Sequence, residues 1–147
     1  MVPNVTRKAK LVVGVSILFV ALIPIRTVSA PDWNVCVVDA SNRPVSGALV
    51  REAYQNYSAE FSSHDQDLYT DAKGCVHFST KKVTSPLFMR MLAILYAAAA
   101  GVHASFGPNS YVIAFEGTLT GEDVRSGYIY TWTGAPQQEA STLKLHE

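Results

Sequence analysis

The chain has 147 residues, 48% of them hydrophobic, which suits one folded domain and excludes an intrinsically disordered chain. Its 12 basic and 12 acidic side chains give zero net charge. This balance argues against a nucleic-acid partner, because such binding depends on a basic surface. The charge is unevenly placed, however: residues 1–30 carry four basic side chains and no acid, and residues 31–147 are mildly acidic. The sequence thus divides into a basic leader and an acidic body.

The leader has the order of a secretory signal. Three positive charges precede the apolar run 11–23, and the small residues 28–30 follow it. This pattern predicts a signal peptide and a periplasmic or secreted location, with a buried helix of the fold as the alternative. Cleavage after Ala30 would leave Pro31 at the new N-terminus, which suits the peptidase poorly. Cleavage one residue earlier and retention of residues 11–25 as a short anchor in the cytoplasmic membrane are both open.

The body contains two cysteines, Cys36 and Cys75. An exported protein meets an oxidising compartment, where an even number of cysteines indicates disulfides. We therefore expect these two residues to pair, with two separate buried thiols as the alternative. They lack the CxxC spacing and flanking histidines of a zinc site, and we expect neither a metal nor another cofactor.

The rest of the body alternates short β-rich segments with turn formers. Residues 55–66 are predicted to be a loop, and residues 71–74 a tight turn in which Gly74 adopts positive φ. The predicted strands cover residues 33–39, 47–54, 67–70, 75–80, 111–115, 128–132 and 141–145. Six or seven short strands separated by turns are typical of a β-sandwich.

One segment interrupts this pattern. Residues 87–100 are good helix formers and almost entirely apolar. Ser85 is predicted to cap this helix, Pro86 to occupy its first turn and Gly101 to form its C-terminal exit. The segment is predicted to be a helical insertion at residues 84–106.

The helix has one wide and one narrow face. The wide face is apolar and includes Leu92 and Leu95, and we expect it to cover the sandwich. The narrow face contains Arg90, Ala93 and Ala97 and is expected to face solvent. A helix resting on a membrane through residues 87–100 is the alternative.

The run 37–50, with sequence VVDASNRPVSGALV, resembles the opening of carboxypeptidase regulatory-like domains. In these domains a strand ends in aspartate, here Asp39, and a turn leads into a Pro-Val-x-Gly-Ala pattern. The match continues through residues 69–78 and covers residues 33–80 well. Two features depart from the family: Val35 stands where a glycine often opens the first strand, and the helical insertion is foreign to the ordinary module.

The resemblance implies a mainly β fold. Residues 31–147 would form a single seven-stranded β-sandwich, transthyretin-like or CNA-B-like, with one inserted α-helix and an N-terminal signal helix before it. If Val35, Val37, Val76 and Phe78 face the core, strand alternation would place Cys36 and Cys75 together on the outer face. This shared face strengthens the predicted disulfide. The expected core comprises Val35, Val37, Leu49, Val76, Phe78, Val112 and Trp132.

Motifs for catalysis are absent from the sequence: it contains no nucleophile elbow, phosphate loop or His-Glu-x-x-His. Residues 64–67 with Asp71 provide carboxylates that could hold calcium, but a solvated acidic loop is the favoured interpretation. His103 and Ser105 could imitate a base and a nucleophile, although a histidine bonded to backbone is favoured. We therefore expect no enzyme.

Three aromatic residues alternate along one predicted strand: Tyr128, Tyr130 and Trp132. Exposed, they would be a stacking platform for sugar rings or a peptide; facing inward, they would be core. The sequence thus favours an exported, non-catalytic module that binds a protein or glycan of the envelope or supports its structure. The alternative is a membrane-associated envelope protein held by an uncleaved leader and residues 87–100, and a small hydrolase is the least favoured.

Overall fold

The computed structural model describes residues 7–123, 130–134 and 141–146. Two α-helices and ten strands are found there. In chain order they are α1 (Arg7–Ala21), β1 (Pro24–Ala30), β2 (Trp33–Val38), β3 (Leu49–Asn56), β4 (His64–Tyr69), β5 (Cys75–Phe78), β6 (Lys81–Pro86), α2 (Leu87–Ala98), β7 (Pro108–Glu116), β8 (Leu119–Asp123), β9 (Tyr130–Trp132) and β10 (Ser141–His146). A short 3-10 turn, Gly101–His103, follows α2.

Most strands belong to one sheet that nearly closes on itself, with the order β4-β3-β7-β8-β10-β2-β5. The ninth strand, β9, pairs with the first half of β7, opposite Ser110–Val112. β1 and β6 form a separate antiparallel pair. The fold is therefore mainly β with two helices, as predicted.

The core lies on one face of this sheet, because alternate strand residues point to the same side. Its fully buried members are Trp33, Val35, Val37, Ala48, Val50, Phe78, Val112, Ala114, Leu143 and Leu145. The predicted core residues Val76 and Trp132 are partly buried against it. The prediction for Leu49 was wrong: this side chain is only half-buried, and its neighbour Val50 points inward.

Residues 71–74 form the predicted turn between β4 and β5. The Asp71 carboxylate accepts hydrogen bonds from the backbone N–H groups of Lys73 and Cys75 at 2.8 and 2.9 Å, which lower its pKa. Gly74 has φ 75°, and a β-carbon there would lie 2.9 Å from the Pro44 side chain. Only glycine fits this position without strain.

The structure corrects the prediction that residues 55–66 are a loop, because β4 begins at His64. This strand forms the free edge of the main sheet beside β3. Its side chains are mostly exposed and polar, so the strand lacks the apolar alternation of a half-buried strand. Arg51 of β3 holds it from across the pair through Asp67, with Nη2 2.6 Å from Oδ2.

Helix α2 spans 12 of the residues predicted for it, and the inward and outward faces are the reverse of those expected. Arg90, Ala93 and Ala97 are buried, whereas Leu92 and Leu95 are 49% and 65% exposed. The predicted N-cap was also wrong: Ser85 and Pro86 end strand β6, and the residue that caps the helix, Pro86, makes no side-chain cap bond. Gly101 has φ 60°, in accord with its predicted role at the C-terminal exit.

Strand β1 of the β1–β6 pair contacts β3 and β7 of the main sheet. Both helices are attached at the same end of the pair, where Pro24 lies opposite Pro86. Through residues 7–123, 130–134 and 141–146, no helix combines the length and apolar character needed to cross a membrane.

Candidate functional site

The most unusual surface of the molecule consists of exposed apolar side chains on its helices, which we call the apolar helical surface. In α1 this surface includes residues on every side of the helix, and none of the 15 residues is buried. Its members are Leu11, Val12, Val13, Val15, Ile17, Leu18, Phe19 and Val20 in α1, Phe88, Met91, Leu92, Ile94, Leu95 and Tyr96 in α2, and Val102 and Phe106. Large exposed apolar patches typically mark interaction sites.

The two helices meet in an apolar cleft of about 320 Å³. Ile17 and Val20 of α1 face Leu87 and Met91 of α2 across this cleft. The backbone N–H of Leu87 also donates to the carbonyl of Ile23, at 3.2 Å. The exposed parts of the two helices are therefore adjacent and form one surface.

Arg90 explains why α2 turns its narrow face inward. Its Nη2 donates to the carbonyl of Ile25 at 2.8 Å and to Thr27 Oγ1 at 2.9 Å, and its Nε donates to the carbonyl of Ser85 at 3.3 Å. Arg90 is 9% exposed, so these contacts replace the water that the guanidinium loses. Ala93 and Ala97 are buried on the same side of α2, and their small side chains let the helix pack closely on the body.

Strand β1 is bound from the opposite side by β3 and the turn after it. Asn56 Nδ2 donates to Thr27 Oγ1 at 3.2 Å, and Glu60 Oε1 accepts from Ser29 Oγ at 3.4 Å and from the Asn56 N–H at 2.7 Å. Ser29 and Ala30 are 1% and 0% exposed. The residues predicted to form a signal-peptidase site thus belong to a paired strand, with Val28 half-buried and Ser29 and Ala30 buried.

Sequence reasoning missed the role of Arg90 and the strand β1. A signal for the first was present: the only charge of an apolar helix has alanines three and seven residues later, which places small side chains on its face. That pattern is typical of close packing around a satisfied polar group.

The predicted aromatic platform is described only in part. Tyr128 lies outside the described residues, and Tyr130 belongs to β9. Trp132 packs partly against the core and lines a cleft of about 390 Å³ with Val28 and Pro108. Trp132 therefore contributes both to the core and to the wall of an open cleft.

His103 and Ser105 line one cleft of about 550 Å³, together with Glu60 and Tyr57. The Glu60 carboxylate in this cleft is engaged elsewhere: its Oε2 lies 2.8 Å from Nε2 of His64. No hydrogen bond joins His103 to Ser105 or to Glu60 in the described part of the chain. The arrangement thus lacks the linked base and nucleophile that nucleophilic catalysis requires.

The acidic residues near His64 do not converge either. Asp67 pairs with Arg51, and Asp71 caps the turn before β5. Over the described ranges, no group of three or more histidine, cysteine or acidic residues could hold a metal ion.

Glu52, in β3, is a buried carboxylate that the sequence did not single out. It is 0% exposed, and Lys81 Nζ lies 3.8 Å from its Oε2 while donating to Gln66 Oε1 at 2.6 Å. Burial raises the pKa of Glu52 to about 7, and the Lys81 ammonium and the Trp33 indole offset only part of this effect.

The predicted disulfide is confirmed. Cys36 of β2 and Cys75 of β5 are directly opposite in the antiparallel register, and their sulfurs are bonded. The bond ties β5, which forms a free edge of the main sheet, to its neighbour.

No family model matches the chain, and no curated protein matches it. The resemblance to carboxypeptidase regulatory-like domains thus depends on the motifs of residues 33–80 alone.

Proposed function

We propose that this protein is an exported, non-catalytic module of the bacterial envelope, held at the cytoplasmic membrane by an uncleaved leader. Its body would be a carboxypeptidase regulatory-like sandwich, related to the transthyretin-like fold, that binds a protein or glycan of the envelope or supports its structure. The observation that carries the proposal is the continuity of α1, an exposed apolar helix, with β1, a strand that pairs with β6 and ends in the buried residues Ser29 and Ala30.

An oxidising compartment is supported by the Cys36–Cys75 disulfide. Disulfides of this kind persist outside the cytosol, where thiols are not kept reduced. Export also agrees with the leader, in which positive charges precede the apolar run and direct the body across the membrane.

Retention of the leader is supported by the contacts of β1. Removal of residues 1–30 would leave the Arg90 guanidinium without its partners Ile25 and Thr27, and would leave strand β6 unpaired. A buried charge that loses its partners is strongly destabilising. A body cut after Ala30 would therefore lose part of its own structure.

Attachment to lipid is supported by the character of α1. A helix that is apolar on all sides is stable when it is surrounded by protein or by lipid, and α1 exposes nearly all of its surface. Arg7, Lys8 and Lys10, which are exposed at its start, would contact anionic headgroups.

To test this proposal, the full chain is expressed in a bacterium, and its intact mass and its flotation with membranes are measured. We expect the mass to include residues 1–30 and the protein to float with the membrane in a density gradient. Ile17→Asp with Leu18→Asp should abolish flotation, and the control Tyr69→Asp, at an exposed residue of β4, should not. A mature chain that begins at residue 30 or 31 and stays in the soluble fraction would contradict the proposal.

A further inference from the structure

We infer that α2 and the 3-10 turn after it form a second lipid contact, so that α2 lies flat in the membrane interface beside α1. This inference deepens the proposed function and rests on it, because α1 must first bring the body to the membrane. It assigns the membrane-facing side of the body to Met91, Leu95, Val102 and Phe106.

Helix α2 has the opposite orientation to the one expected in water. The helix buries two alanines and its arginine and turns six larger apolar side chains outward, with Tyr96 68% exposed and Met91 59% exposed. In water the opposite orientation would remove far more apolar surface from solvent. The observed orientation is favourable when the outer face contacts an apolar medium.

The distribution of charge on α2 also favours contact with lipid. Arg90 is the only charged residue of α2, and its guanidinium is satisfied inside the body by carbonyl and hydroxyl oxygens. The outward face of α2 is therefore free of charge. An interfacial helix with such a face inserts it among the acyl chains near the headgroups.

Lipid, and not a protein partner, fits the surface that α2 shares with α1. The exposed face of α2 continues across the apolar cleft onto α1, which is apolar all round and begins with exposed basic residues. A protein partner would have to enclose α1 on every side, whereas a bilayer does so without any specific shape. Anionic headgroups also complement Arg7, Lys8 and Lys10.

The edge of this surface carries aromatic side chains. Phe61 and Tyr96 make an edge-to-face contact with ring centroids 5.7 Å apart, and both are exposed. Tyrosine is common at the level of lipid headgroups, where its ring and hydroxyl meet different media. Tyr96 thus lies where the proposed interface would end.

The experiment measures the depth of spin labels in vesicles of phosphatidylethanolamine and phosphatidylglycerol. Single cysteines replace Leu18 in α1, Leu95 in α2 and Lys73 in the turn before β5, each in the full chain with its native disulfide intact. Collision with oxygen, which concentrates in lipid, is compared with collision with a water-soluble nickel complex. We expect the oxygen-to-nickel ratio at Leu18 and Leu95 to exceed that at Lys73 several-fold.

Each other outcome has a distinct meaning. If Leu18 is protected and Leu95 is as accessible to nickel as Lys73, the inference fails and the proposed function stands. Nickel access at all three positions would overturn both. Spin–spin broadening at Leu95 that disappears on dilution with unlabelled protein would identify a second copy of the chain as the occupant and overturn the lipid contact.

Discussion

Glu52 makes the free energy of unfolding depend on pH, because its carboxyl group is buried and titrates near neutrality. The pKa of the folded group is about 7, against an ordinary value of 4.5. Between these values the folded chain binds more protons than the unfolded chain. The free energy of unfolding is therefore highest below the lower value and decreases as pH rises to the upper one.

We expect this decrease to be about 3 kcal/mol, and Glu52→Gln to remove most of it. Urea unfolding in mild detergent, followed by near-ultraviolet circular dichroism from about pH 5 to about pH 8, measures the effect. The control Glu116→Gln changes an exposed carboxylate of β7 and should keep the wild-type pH dependence. A Glu52→Gln chain with an unchanged slope would assign the pH dependence to another group.

Phe78 tests the packing of the core at a single position. Its side chain is 1% exposed and lies opposite Trp33 in the register of β2 and β5. Phe78→Ala should lower the free energy of unfolding by about 3–5 kcal/mol, through lost burial and a residual cavity. Tyr69→Ala, at a side chain 69% exposed, should change it by less than about 0.5 kcal/mol in the same urea titration. Equal effects would contradict the burial of Phe78.

At the scale of elements, the disulfide joins strands whose cysteines are 39 residues apart in sequence. Closing a loop of this length restricts the unfolded chain, and Cys36→Ala with Cys75→Ala should cost about 4 kcal/mol of stability. Chemical denaturation of oxidised and reduced wild-type protein provides the control, because the reduced chain should match the double variant. Two reactive thiols in the unreduced wild-type protein would show that the bond does not form.

The two faces of α2 give a second prediction at this scale. Ala93→Asp and Ala97→Asp place a carboxylate on the buried face, and each should lower stability by about 3 kcal/mol or more. Leu92→Asp and Leu95→Asp change exposed positions and should lower stability little, while reducing binding to vesicles. Thermal unfolding in detergent and vesicle flotation separate the two effects. A reversed pattern would restore the orientation predicted from the sequence.

The sequence predicted elements well where local chemistry alone decides them. Asp71 and Gly74 fixed a turn, and alternation placed Val35, Val37, Phe78 and Val112 in the core. Prediction from the sequence failed where the position of an element depends on contacts with other parts of the molecule. The periodicity of α2 identifies its apolar face but not what that face contacts. The predicted orientation assumed that the apolar face packs on the body to avoid water.

Strand β1 was missed, and the first half of β4 was assigned to a loop, because of their polar composition. β1 contains Arg26 and Thr27, and β4 contains two aspartates, so neither shows the usual alternation. β1 depends on pairing with β6, which is distant in the sequence, and β4 pairs with the strand that precedes it, β3. Glu52 is buried on the same face of β3 as Val50, and a carboxylate there departs from the apolar alternation that would identify this face as the inward one.

At the scale of the whole molecule, the proposed membrane contact has an electrostatic part that can be measured. Replacing Arg7, Lys8 and Lys10 with glutamine removes three charges near the headgroups, each worth about 1 kcal/mol. We expect the partition coefficient on anionic vesicles to fall by roughly two orders of magnitude, with little change on neutral vesicles. Lys73→Gln, at the turn before β5, is the matched control. Equal loss on both vesicle types would show that charge does not contribute.

The pairing of β1 with β6 makes the protection of residues 28–30 depend on the folding of the body. Strand β6 follows β2–β5 in the chain, so it is synthesised after them, and residues 28–30 have no strand partner until it is made. Before β6 pairs with β1, a protease can reach these residues; after pairing, they are protected from it. The access of a protease to these residues thus reports how quickly the body folds, and a mutation that slows folding should lengthen the time during which residues 28–30 can be cut.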